Sequence, residues 1–288
     1  MFHVRKIESF DSPELRPYAT LRRSRDHESQ GIFVAEGTKV VRRLLESDFT
    51  VESLVLPESW LPEFQSLLEK RPEDVTVFVA EKKLLESLIG FSMFQGVLAV
   101  GKIPAPVSFE KILAASPHPQ LFVAVDALTN AENLGALVRN CVAFGVHALI
   151  AGETSSSPFL RRSVRNSMGT ILQLPVVELA RLGQWRKPDV VSHTSDLTLI
   201  ECLQHFRARG IRSIAAHPHT DKRILSQADF RGDCCLVFGS EGDGISPAIL
   251  AACDEAVAIP MPPSVDSLNV GAAAAVFLYE VSRQRMLV

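Results

Sequence analysis

Ile259-Pro-Met-Pro-Pro-Ser-Val-Asp-Ser-Leu-Asn-Val270, followed by Gly271-Ala-Ala-Ala-Ala275 and Val276-Phe-Leu-Tyr-Glu280, is the stretch on which the reading of this chain turns. It reads as strand, rigid turn, helix. An apolar strand from Ala256 to Met261 runs into adjacent prolines, which fix φ and lack the N–H that a ladder needs. Asp266 or Ser267 is placed to cap a helix that begins near Leu268. Such a turn leaves backbone groups free for a ligand, and the alanines let a second backbone approach the helix closely. A capped, Ala-rich core helix is the plain structural alternative, and these residues alone do not separate the two.

Two upstream segments complete a pattern. They are Asp126-Ala-Leu-Thr-Asn-Ala-Glu-Asn-Leu-Gly-Ala-Leu-Val-Arg-Asn140 and Leu236-Val-Phe-Gly-Ser-Glu-Gly-Asp-Gly-Ile-Ser-Pro247. With the C-terminal stretch they resemble, in order and spacing, the three motifs of the SpoU (TrmH) family of RNA 2′-O-ribose methyltransferases, a branch of the SPOUT superfamily. The resemblance spans roughly residues 120 to 285. It implies an α/β fold whose catalytic domain carries a deep trefoil knot. General topology disfavours knots, so that expectation rests wholly on the resemblance.

Composition sets the outer bounds. At 288 residues, 47% hydrophobic and 22% charged, the chain has room for two globular domains with cores of their own. The start, Met-Phe-His-Val-Arg-Lys, lacks the apolar stretch of a secretory signal. No apolar run approaches the ~20 residues that span a bilayer, so a cytoplasmic, membrane-free protein is expected. The five cysteines form no Cys-x-x-Cys pair, and neither zinc nor a disulfide framework is indicated. A net charge of −3 argues against a global positive field, so RNA contact must be local. Two basic patches offer it: Arg22, Arg23 and Arg25, with Arg16 nearby, and Arg161, Arg162 and Arg165. Solvated helix faces are the plain alternative for both.

Pro-rich punctuation in Gly101-Lys-Ile-Pro-Ala-Pro-Val-Ser and Ser116-Pro-His-Pro brackets one short helical segment. A domain over 1–105, a linker over 106–119 and a second domain over 120–288 follow. Alternation predicts strands at Val51–Leu56, Val75–Ala80 and Gly96–Val100, with helices at Lys39–Ser47, Trp60–Lys70 and Lys82–Ile89. That is a small α/β domain. Ile32-Phe-Val-Ala-Glu-Gly-Thr-Lys-Val-Val41 and Phe94-Gln-Gly-Val-Leu-Ala-Val100 resemble the ribosomal-protein-like, RNA substrate-binding domain that often precedes the SpoU domain, with Phe94 where relatives commonly have His. Strands at Leu121–Val125, His147–Ala151, Ile211–Ala216, Cys234–Phe238 and Ala256–Met261 alternate with helices and imply a mostly parallel sheet covered on both faces.

Methyl transfer to a ribose 2′-hydroxyl asks the protein for positioning and for stabilisation of an alkoxide as its charge develops. No G-x-G-x-x-G fingerprint is present, which disfavours a dinucleotide site. The resemblance instead implies S-adenosylmethionine (SAM) in a cleft of loops, touched by Gly239 and Ile259 and Leu268, with Met261 and Val270 lining it. It also assigns catalytic places to Arg139, Asn133, Glu241, Ser267 and Asn269. Arg139 is always charged, which suits a role in fixing a phosphate and stabilising the oxyanion, and the alternative role as base stays open. Asn133 would orient Arg139 or the RNA backbone, and Gly135 would permit close backbone approach. Glu241 would anchor Arg139 or an adjacent loop, and Ser267 would cap the helix.

One position departs from the pattern. Many SpoU proteins read Ile-Pro-Met-x-Gly where this chain has Pro263, which excludes positive φ and removes an N–H. If that glycine conformation is required, cofactor affinity is altered or lost; the intact Ser267-Leu-Asn269 favours activity. The leading expectation is therefore a SAM-dependent RNA 2′-O-methyltransferase, with ribosomal RNA preferred to transfer RNA, working as a homodimer through its C-terminal domain. The alternatives are a catalytically silent RNA-binding protein of the same fold and a base methyltransferase. The Asn-Leu-Gly-x-x-x-Arg motif speaks against the last.

Overall fold

In the computed structural model, residues 1–89, 96–179, 194–195, 197–218 and 223–286 are described. The expected Phe94-Gln95 piece lies outside them.

Residues Met1–Ala105 and Phe159–Gln173 form one unit, and Pro106–Pro158 with residues 174–179 and 194–286 another. In the first, β1 (Phe2–Lys6), β2 (Ile32–Glu36), β3 (Val51–Leu56), β4 (Val75–Val79) and β5 (Leu98–Lys102) make a five-stranded sheet of order β1-β4-β3-β5-β2. β1, β4 and β3 pair in parallel, and β5 runs antiparallel to β3 and β2. The helices are α1 (Arg16–Ala19), α2 (Ser24–Ser29), α3 (Thr38–Glu46), α4 (Leu61–Leu68) and α5 (Lys82–Ile89). Their apolar faces close on the sheet: Val40, Val41, Leu44 and Leu45 from α3, Phe64 and Leu68 from α4.

α8 (Arg161–Asn166) belongs to this first unit, although it follows the boundary expected near residue 105. Phe159 enters an aromatic group with Phe33 and Phe49, ring centroids 5.8 and 6.1 Å away. The buried Glu36 carboxylate accepts from Arg161 and, at 2.8 Å, from Arg165. Arg43 donates to the Met168 carbonyl at 2.6 Å. Gly169, at φ +78°, lies so close to α3 that an added Cβ would be 3.3 Å from Val40 Cα. One contiguous domain per half of the chain is thus not what the packing forms: a buried carboxylate on β2 requires cationic partners, and Phe159–Gln173 carries them.

The second unit is a seven-stranded sheet of order β12-β10-β11-β6-β7-β8-β9, and every pairing in it is parallel. Its strands are β6 (Leu121–Val125), β7 (Ala148–Ala151), β8 (Val176–Leu179), β9 (Thr194–Ser195), β10 (Arg212–Ala216), β11 (Cys234–Phe238) and β12 (Glu255–Val257). Its helices are α6 (Phe109–Ala115), α7 (Ala131–Ala143), α9 (Leu199–Ala208), α10 (Pro247–Ala252) and α11 (Val270–Met286). β6 and β11 are buried at every position, as continuous apolar runs in a parallel sheet require. Phe206 of α9 stacks on Phe122 of β6 at 5.0 Å and meets Phe109 of α6 edge-on at 5.1 Å. A capping box starts α9: Thr198 Oγ1 accepts from Glu201 N–H at 3.2 Å while Glu201 Oε2 accepts from Thr198 N–H at 2.7 Å.

Candidate active site

Parallel strands direct their C-terminal ends to one edge of the sheet, where open α/β folds place ligands. The turns after β10 and β11 and the loop between β12 and α11 form a cleft there. Its cavity volume is about 230 Å³, and it is lined by Ala216, His217, Phe238 to Gly244, Val257, Ile259, Met261, Asp266 to Leu268, Val270, Ala273 and Phe277. All five residues expected at the cofactor, Gly239, Ile259, Met261, Leu268 and Val270, are on this wall.

Its floor is a tight turn. Ser240 N–H donates to Gly244 C=O at 2.9 Å and Asp243 N–H to Ser240 Oγ at 3.1 Å. A Cβ on Gly239 would fall 2.0 Å from the Gly244 carbonyl carbon, so only glycine fits. Buried Asp126, just past β6, accepts from Ser246 N–H at 2.8 Å and holds the far end of this loop. Sequence reasoning gives Asp126 no part, although it opens the first motif.

Three expected catalytic side chains meet in one network. Asn130 caps α7, its Oδ1 accepting from Glu132 and Asn133 N–H at 2.9 and 3.2 Å. From the first turn of α7 Asn133 Nδ2 donates to Glu241 Oε1, and Asn133 Oδ1 accepts from Asn269 Nδ2 at 2.9 Å. Asn269 Oδ1 in turn accepts from Gly271 and Ala272 N–H at 2.9 and 3.4 Å. That bond fixes both amides: Asn269 has only its NH₂ left to offer, so Asn133 must present its oxygen there and its NH₂ to the carboxylate. Next to Arg139 in the chain, Asn140 Nδ2 donates to Gly271 C=O at 2.7 Å and ties α7 to α11. Nothing in the local sequence marks Asn140.

Three expectations change. The cap of α11 is Asn269, not Asp266 or Ser267, and the helix starts at Val270 rather than Leu268. Ser267 is an exposed residue of the cleft wall. Glu241 is bound by Asn133 and not by Arg139, because six residues at about 100° each put Arg139 well round the helix from Asn133. Arg139 is exposed and has no hydrogen-bond or ion-pair partner among the described residues. The second basic patch is also divided: Glu36 engages Arg161 and Arg165, of which only Arg161 is withdrawn from solvent, while Arg162 and Arg165 are exposed. Arg22 and Arg23 are exposed, and the Arg25 side chain lies outside the described residues.

The donor set fits a molecule such as SAM. Phe238, Ile259, Leu268 and Phe277 offer apolar walls, and Glu241, Asp243 and Asp266 offer negative charge to a cation. No N–H of Met261, Asp266, Ser267 or Leu268 is paired among the described residues.

Comparison with known proteins agrees. Residues 120–279 match the SpoU rRNA Methylase family, and residues 12–99 match the MRM3-like substrate binding domain. An uncharacterized tRNA/rRNA methyltransferase of Mycobacterium tuberculosis is 32% identical, aligned over 95% of this chain and 90% of its own. The 23S rRNA (guanosine-2′-O-)-methyltransferase RlmB of Acinetobacter baylyi is 30% identical over 77% of this chain and 84% of its own. Among solved structures, the SpoU methyltransferase AviRb of Streptomyces viridochromogenes, in complex with the cofactor AdoMet, superposes with a TM-score of 0.78 at 26% identity, covering 96% of this chain and 100% of that one. With two of its three motifs lining one cleft, the other joined to that wall through Asn133, and more than half its length matched by the family model, this chain belongs to the SpoU family of RNA methyltransferases.

Proposed function

We propose that the chain transfers a methyl group from SAM to a ribose 2′-hydroxyl of ribosomal RNA, as a cytoplasmic homodimer whose second unit carries the family's trefoil knot. The observation that carries this reading is the Glu241–Asn133–Asn269 network at the edge of the cleft. SAM supplies, when bound, an electrophilic methyl on a positive sulfonium. The protein's part is positional and electrostatic. Asn133 holds the Glu241 carboxylate at the cleft wall, and Asn269 links that pair to the start of α11. The exposed Arg139 guanidinium, without a partner among the described residues, is available to a phosphate and to negative charge developing on the 2′-oxygen. Exposed Arg22 and Arg23 offer local positive charge for RNA on a chain of net charge −3. Preference for ribosomal RNA is supported by the 23S rRNA activity named for the RlmB relatives.

Isothermal titration with SAM and S-adenosylhomocysteine tests the cofactor assignment. Mass-spectrometric mapping of ribosomal RNA from cells with and without the protein tests the substrate. One site per chain and one 2′-O-methyl lost on deletion are expected. A folded protein that binds neither ligand, or a methyl mapped to a base or to transfer RNA, overturns the reading.

A further inference from the structure

The loop joining β12 to α11 lines the cleft on both sides of a single turn, with Ile259 and Met261 before it and Asp266, Ser267 and Leu268 after it. That turn is Pro262–Val265, closed by Val265 N–H donating to Pro262 C=O at 3.0 Å. Between Ile259 and Leu268 it is the one backbone hydrogen bond among the described residues, so little else holds the loop. Pro263 occupies the second position of the turn, where its ring sets φ near −65° as the turn requires. No residue of the loop has a positive φ, which excludes a type II turn and any need for glycine. Nor do Pro262, Pro263, Ser264 and Val265 line the cleft. The missing N–H of Pro263 is no loss, since only the fourth residue of such a turn donates.

Leu268 is 40% exposed, and Asp266 and Ser267 are exposed too, so the wall after the turn is not held by burial. Its placement relative to Ile259 and Met261 depends on the backbone dihedrals between them. Proline removes freedom from one of those dihedrals in the unliganded chain, and a loop already in its binding shape loses less entropy on binding.

We propose that Pro263 is a positioning residue for the cofactor, holding the 259–269 loop in its binding shape before SAM arrives, so that the departure from glycine strengthens the site. This rests on the reading of the cleft as the SAM site. The test compares the full-length protein with Pro263→Gly and Pro263→Ala by isothermal titration with SAM, and by millisecond hydrogen exchange of residues 264–269 with and without SAM. Pro263→Gly is expected to bind SAM about two- to fivefold more weakly, with the loss in the entropy of binding, and Pro263→Ala to fall between. Exchange in 264–269 should be faster in free Pro263→Gly and equal to wild type once SAM saturates. Equal or tighter SAM binding by Pro263→Gly, or unchanged exchange in the free protein, overturns the proposal while the cofactor reading stands. A folded wild type that does not bind SAM overturns both.

Discussion

Asn133 donates its side-chain amide to the Glu241 carboxylate across 108 residues of sequence, joining the first turn of α7 to the turn after β11. Replacing Asn133 by Asp sets two carboxylates against each other and removes the donor. Methyl transfer should fall on the order of a hundredfold in kcat, as when one aligned donor is lost from a polar site. Because Asn133 does not line the cleft, the Kd for SAM should change far less. Single-turnover methylation alongside titration separates the two, and an equal loss in both would remove Asn133 from the catalytic assignment.

Arg139 and Leu268 should divide chemistry from cofactor binding. Arg139→Ala, at an exposed side chain without a partner among the described residues, should abolish methyl transfer and leave SAM affinity and thermal stability within error. Leu268→Asp places a charge on the cleft's apolar wall and should weaken SAM binding itself. Equal loss of SAM affinity in the two variants contradicts the division.

RNA binding should answer to the N-terminal arginines. Replacing Arg22, Arg23 and Arg25 together by Ala should weaken RNA binding and flatten the slope of log K against log salt by about 0.7 for each phosphate that is no longer neutralised. An unchanged slope removes this patch from the RNA surface.

Glu36 should report on the integrity of the first unit. Removing this buried carboxylate leaves Arg161, only 17% exposed, without its counter-charge. Glu36→Ala should cost roughly 3 kcal/mol of stability in denaturant unfolding. A fragment of residues 1–105 should be less stable still, because it lacks Phe159, Arg161 and Arg165. A fragment that unfolds with the same midpoint as this part of the whole protein would contradict the assignment.

Acid should destabilise the fold through His147 before the carboxylates titrate. Burial, and then the charge of Arg285, hold the His147 pKa below its usual value, and Leu121 N–H donates at 3.0 Å to its Nδ1, which only a neutral ring can accept. Burial lowers His27 likewise. The folded state therefore binds fewer protons than the unfolded one, so stability is full above about pH 7 and declines as pH falls through the unfolded value near 6.5. The urea midpoint should drop between about pH 7.5 and 5.5, and His147→Asn, which keeps an acceptor but cannot titrate, should lessen the drop. A slope identical to wild type would exclude His147.

What is legible in residues alone follows from where the determining contacts lie. β6 and β11 have the bounds that their apolar runs predict, because little but hydrophobic sequence defines a strand buried on both faces. β1 is not legible: Phe-His-Val-Arg-Lys sits at a sheet edge with four of its five residues exposed and carries no periodic signal. The cap of α11 is ambiguous in sequence because Asp266, Ser267 and Asn269 are all good caps. Only a partner on α7 selects Asn269. The motif residues are identifiable as a set, yet their pairing is not: the Glu241–Asn133 and Glu36–Arg161 bonds join positions more than 100 apart, and neither has a local signature.

The return of Phe159–Gln173 to the first unit has a consequence for synthesis. A nascent chain released only as far as Ala105 holds all five strands of its first sheet but not the segment that neutralises Glu36 and covers Phe33. The N-terminal unit cannot be finished until Gln173 has left the ribosome, by which time β6, α7 and β7 of the second unit have already been made. Completion of the first unit therefore overlaps synthesis of the second, and the first unit is not a cassette to be lifted out at its first boundary.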